Sequence, residues 1–79
     1  MFIFVFEDVL TDYTSGMAVI AAESLRQAQE LAHAEFGGRF DTLEQFLEDD
    51  DGEGFRRETA CYPTQGVSAG VLHYVYGGG

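Results

Sequence analysis

Hydrophobic residues recur with two different periods along the chain. Phe2-Ile3-Phe4-Val5-Phe6 is apolar at every position. In a strand, alternate side chains project to opposite faces, so Phe2, Phe4 and Phe6 share one face and Ile3 and Val5 the other. Two apolar faces predict a central strand. Met17 to Ala22 predicts a second strand. Asp12, Thr14, Ser15 and Gly16 have turn chemistry, so Asp8 to Gly16 is expected to be a loop or wide turn closing an antiparallel hairpin.

The period then lengthens. Leu25, Ala28, Leu31, Ala32 and Phe36 form an apolar stripe at helical spacing. Ser24 and Gln27 make a capping box in front of it, and Gly37-Gly38 predicts a left-handed stop behind it. A helix over Leu25–Phe36 follows. A shorter helix is expected after it, capped by Asp41 with Glu44, with Leu43, Phe46 and Leu47 inward and Glu44, Gln45 and Glu48 outward. Glu58 to Tyr62, stopped by Pro63, predicts a third strand, and Val71 to Tyr76 a fourth. In that fourth strand, Val71, His73 and Val75 share one face and Leu72, Tyr74 and Tyr76 the other.

The order ββααββ predicts an α+β fold. Two hairpins build a small four-stranded, mostly antiparallel sheet, with one main helix and one short acidic helix on one face. A chain of 79 residues is expected to form a single domain over positions 1 to 79. A sheet this small is expected to be monomeric or weakly dimeric through an edge or its open face.

Charge changes the picture more than composition does. Fourteen acids face four arginines and no lysine, for a formal net charge of −10. That exceeds the magnitude of about 2–8 usual for a small soluble domain. It argues against direct binding to nucleic acid or an anionic membrane and favours a basic partner. The lone Cys61 excludes an intrachain disulfide and a cysteine-based zinc cluster, which predicts an intracellular, cytoplasmic protein. The apolar run at residues 2–6 is too short for a signal peptide or a membrane span.

The acids concentrate in one segment. Asp41, Glu44, Glu48, Asp49, Asp50, Asp51 and Glu53 are seven of the thirteen residues from 41 to 53. Acids one helical turn apart lie about 6 Å apart along the axis, similar to neighbouring phosphates. A fixed row of them can occupy a groove built for a nucleic-acid backbone. A calcium loop starting at Asp49 would place Ala60 at the twelfth position, where a bidentate glutamate is needed. Nothing brings His33 or His73 to Cys61 as a base, so Cys61 is expected to be half-buried and structural, with His33 on the helix surface or rim. No catalytic residue, metal or cofactor is expected. Tyr13, Tyr62, Tyr74, Tyr76, Phe40 and Phe55 are candidate interface aromatics, with core packing the alternative.

In size, acidity and compact layout around the 41–53 carboxylates, the chain resembles small phage-encoded anti-CRISPR proteins. The match lies in character rather than in a motif. The resemblance implies a non-enzymatic inhibitor in the cytoplasm of a host bacterial cell. Its 41–53 carboxylates would face the lysine and arginine rows that guide target DNA on a CRISPR effector complex, with a type I surveillance complex as the target. Two alternatives stand beside it. The closing Gly77-Gly78-Gly79 resembles the flexible tail of ubiquitin-like and sulfur-carrier proteins, or the chain is an accessory phage or bacterial domain with incidental acidity.

Overall fold

In the computed structural model, which describes residues 1–12 and 14–78, the apolar first segment is a central strand. β1 (Phe2–Asp12) pairs antiparallel with β2 (Thr14–Ala22). After α1 (Leu25–Phe36), α2 (Leu43–Glu48) and a 3₁₀ turn (Glu53–Arg56) come β3 (Ala60–Pro63) and β4 (Gly70–Val75). The α+β class, four antiparallel strands and two helices are as expected. The second hairpin is not formed. The strand order is β3-β1-β2-β4, so β3 and β4 lie on opposite edges of the sheet. β3 pairs with the free side of β1 and β4 with the free side of β2, although the two are neighbours in the chain.

The expected loop from Asp8 to Gly16 is instead a continuation of both strands. Register shifts between Glu7 and Val9 and between Val9 and Asp12 mark bulges in β1. Asp8 and Leu10 take left-handed backbone, with φ of 58° and 53°. Strict alternation after Phe4 and Phe6 would turn Asp8 into the core. The extra residue shifts the phase by one, so Val9 is buried and Asp8 exposed. A second bulge, between Val19 and Ile20, does the same to β4. It moves Val71 opposite buried Ile20, on the core side, and leaves Leu72 exposed. The expected grouping of Val71 with His73 and Val75 is thereby broken.

α1 has the predicted bounds. Ser24 Oγ accepts from the Gln27 backbone N–H, and Gln27 Oε1 accepts from the Glu23 N–H. Its end differs from expectation. Gly37 has φ −108° and is not left-handed. Glycine is needed there for space, because a Cβ would lie 2.6 Å from Phe46 Cδ1. α2 is capped one residue later than expected. Thr42 and Gln45, not Asp41 and Glu44, complete the capping box.

The core lies between one sheet face and the helical layer. Phe4, Phe6, Ala18 and Ile20 meet Ala28 and Ala32 of α1 and Leu43 and Phe46 of α2. Phe55 is fully buried among three rings: Phe6 at 5.1 Å, Phe46 at 5.7 Å and Phe36 at 5.9 Å between centroids. It is a core residue and not an interface aromatic. Gln29 is the buried polar side chain of α1, and its amide donates to the Phe55 and Arg56 carbonyls at 3.0 and 3.2 Å. Those bonds fasten the 3₁₀ turn to α1 and satisfy the amide inside the protein.

Phe55→Ala should therefore destabilise by about 3–5 kcal/mol, a large share of the roughly 4–12 kcal/mol a domain of this size holds. Phe55→Leu should cost less than about 2 kcal/mol. Urea unfolding followed by circular dichroism measures both, and an alanine variant as stable as the parent would show that the ring cluster does not hold the layers together.

Candidate functional site

The run of carboxylates begins and ends on core anchors. Phe46 is buried before it and Phe55 after it. Between them, the Gly52 and Glu53 N–H groups donate to the Asp49 carbonyl at 3.0 and 2.9 Å. The Asp51 N–H donates to Asp49 Oδ2 at 3.1 Å. Gly52 is pressed against the Phe46 carbonyl so closely that a Cβ would collide with its oxygen. The acids of this turn are thus held in place rather than carried on a loose loop.

They do not form one row. Glu44 projects from α2 to Arg26, at 3.0 Å, and Arg26 also meets Glu30 at 3.3 Å. Arg39 bridges Asp49 at 3.1 Å and Asp51 at 2.6 Å. Three of the seven predicted site residues are therefore paired with the chain's own arginines. Asp41, Glu48, Asp50 and Glu53 have no arginine within ion-pair distance among the described residues. Asp41 lies before the Thr42 cap, and Glu48 ends α2 on its exposed side.

Register brings in acids that the linear run omits. The bulged end of β1 carries Asp8 and Asp12 to Asp50, Asp51 and Glu53 around a cleft of about 840 Å³. Val9, Leu10, Phe36 and Tyr76 give it apolar walls, and Arg56 is its basic residue. The Arg56 Nε–H donates to the Leu47 carbonyl at 2.5 Å, which holds its guanidinium in place. Five acids against one arginine leave the lining at a formal charge of about −4. Asp8 and Asp12 stand far from the 41–53 run in sequence, and only the fold brings them to it. The available signal was the hairpin itself, since the far end of β1 lines the same cleft as residues 50–54.

Phe36, Tyr74 and Tyr76 form an edge-to-face cluster beside this cleft, with centroids 5.2 to 6.2 Å apart. Of the other candidate aromatics, Tyr62 is exposed, Phe40 is half-buried under the Arg39 guanidinium at 4.6 Å, and Tyr13 lies outside the described residues. Cys61 is exposed, contrary to expectation, because β3 is a short edge strand that the helices do not cover. His33 is half-buried on the α1 rim, where Nε2–H donates to the Phe40 carbonyl at 2.8 Å and the ring stacks on Phe46. The last glycines are tied down. Gly77 N–H donates to the Leu10 carbonyl at 2.9 Å, Gly78 N–H to Thr14 Oγ1 at 2.9 Å, and Thr14 Oγ1 to the Gly78 carbonyl at 2.8 Å. Gly79 lies outside the described residues.

The Arg26–Glu44 pair marks the far end of the acidic side. A hydrogen bond from its own backbone N–H, and then the Arg26 guanidinium, hold the Glu44 carboxyl below the ordinary glutamate range. Glu44, followed by Glu30, raises Arg26 above its ordinary value, so Arg26 stays charged throughout the window where Glu44 titrates. A depressed carboxyl stabilises the fold above the ordinary glutamate range and loses that contribution as pH falls through the depressed value. Arg26→Ala should move Glu44 part of the way back up, since the backbone bond remains. A carboxyl-carbon NMR titration reads the shift, and an unmoved Glu44 would show that the pair does not form in solution.

No helix among the described residues is long and apolar enough to cross a membrane. Comparison with family models, curated proteins and solved structures returned no match.

Proposed function

We propose that the protein is a non-enzymatic inhibitor whose acidic cleft takes a basic segment of a nucleic-acid-binding protein and so keeps nucleic acid off it. The observation that carries this reading is the convergence of Asp8 and Asp12 with Asp50, Asp51 and Glu53 around a cleft with apolar walls. A lysine or arginine side chain has the matching form. Its methylene stem packs on Val9, Leu10 and Phe36 while its head reaches the carboxylates. Arginine adds bidentate hydrogen bonding to a carboxylate.

The geometry modifies the phosphate-row idea. Glu44 points away to Arg26, so mimicry by a straight helical row is replaced by a cup of carboxylates drawn from two segments. The clamp of Arg39 on Asp49 and Asp51 does not close the site. Both partners are substantially exposed, and such pairs contribute about 0–1 kcal/mol. An incoming guanidinium can share or replace it. At longer range the net charge of −10 draws a basic surface in before contact. The resemblance to anti-CRISPR proteins makes a CRISPR effector complex, type I first, the partner to test.

The decisive experiment is competition between the protein and target DNA for a type I effector complex, across a salt series. Asp50→Asn, Asp51→Asn and Glu53→Gln combined should weaken inhibition about tenfold or more. Glu7→Gln, Glu23→Gln and Glu35→Gln combined remove the same charge away from the cleft and should have a much smaller effect. Inhibition should also fall as salt rises. Equal losses from the two sets would reduce the mechanism to net charge, and no loss from the first set would overturn the proposal.

A further inference from the structure

The sheet face turned away from the helices is mainly apolar, with His73 of β4 the polar residue at its middle, opposite Val19. Val5 of β1 lies opposite Val19 of β2 and Ala60 of β3, and Ile3 lies opposite Ala21, which is itself fully covered; Ile3, Val5 and Val19 are part-exposed. Tyr62 of β3 is opposite Ile3, and Val75 of β4 is opposite Met17. Glu7, opposite Met17 on β1, closes the row at one end. An antiparallel sheet with one solvated face normally places polar residues outward, whereas here, apart from His73 opposite Val19 and Glu7 at the end, the outward positions are aliphatic or aromatic. Tyr62 and Val75 are 58% and 48% exposed.

We infer that two copies of the chain pair through this face, sheet against sheet, about a two-fold axis. Charge selects the occupant. Two chains of net charge −10 can approach only where neither presents carboxylates, and the middle of this face is such a place. A basic partner would be drawn instead to the acidic cleft. An isologous contact needs a self-complementary patch, and rows of Ile, Val and Met interdigitate with the same rows at the usual sheet spacing of about 10 Å.

The dimensions of the molecule set the upper limit on the area. The molecule measures 35 × 27 × 17 Å, so the sheet forms one of its two broad sides. An ellipse on the two longer extents encloses about 740 Å², an upper bound on what one broad side offers and below the roughly 800 Å² per partner of a standard interface, so the pairing is expected to be weak. Oligomerisation is one of the few staples open to a small chain with a single cysteine. Phe36 and the 50–54 segment belong to the helical side, so pairing leaves both clefts open.

Sedimentation equilibrium of the full chain, from about 10 to 500 μM, tests this. The expected mass rises with concentration from 8.7 kDa to twice that value. Added salt should strengthen pairing, because it screens repulsion between the copies, whereas it weakens binding at the cleft. The two proposals can therefore fail separately. Val19→Glu and Val75→Glu should each return the protein to a monomer with an unchanged circular dichroism spectrum. Should Val19→Glu unfold, Val75→Glu at its exposed position decides the matter. A mass of 8.7 kDa at every concentration and salt would overturn the inference. So would a dimer that persists in a folded Val75→Glu variant, since pairing would then lie elsewhere.

Discussion

Burial of Phe55 is the constraint on which the rest of the molecule depends. Its ring sits against Phe6 from the sheet, Phe36 from α1 and Phe46 from α2, so one side chain joins every layer. It also settles where the acids go. Phe46 and Phe55 are both fully buried, and the chain between them must span two core anchors in eight residues. That span carries Glu48, Asp49, Asp50, Asp51 and Glu53, which repel one another and would otherwise favour an extended loop. The core holds them together against that repulsion, and Arg39 offsets part of it at Asp49 and Asp51.

The second constraint is the bulged end of β1. Left-handed backbone is tolerated by aspartate but is uncommon for leucine, and each such residue costs about 1 kcal/mol or more. Asp8 and Leu10 both adopt it. The return is that Phe6 and Val9 both enter the core while Asp8 faces the cleft. The Gly77 and Gly78 bonds to Leu10 and Thr14 brace the same ribbon. Strain, packing and acid placement therefore converge on one end of the hairpin.

This explains which features were legible in the sequence. α1 was readable to the residue because its cap, stripe and stop are all local. β1 was readable as a central strand from Phe2 to Phe6 for the same reason. The thirteenth-hour features were those that depend on a distant partner. Whether Asp8 ends a strand or bulges within it depends on β2 and on the cavity Val9 fills. The edge positions of β3 and β4 depend on which strand offers a free side. Gln29 looks like a surface residue until the Phe55 and Arg56 carbonyls, 26 and 27 positions away, accept from its amide. The α2 cap is different, because Thr42 and Gln45 carry the capping-box pattern locally, and Asp41 with Glu44 carries the same pattern one residue earlier. The acids from 41 to 53 were visible as a run, but their division between Arg26, Arg39 and the cleft was not, because arginine pairing is a tertiary matter.

Charge and hydrophobicity are also separated in space, and each sets a condition on the other. The cleft gathers carboxylates at the end where β1 meets the 3₁₀ turn, while the middle of the outer sheet face carries none. Mutual repulsion of the acids destabilises the compact state. A cation entering the cleft relieves that repulsion where it is most concentrated, so occupancy and folding stability are linked. The same net charge that favours a basic partner opposes self-association, leaving the mainly apolar outer face as the place where like chains can meet at least electrostatic cost. The sheet thus keeps the acidic cleft and the mainly apolar outer face apart within one small domain.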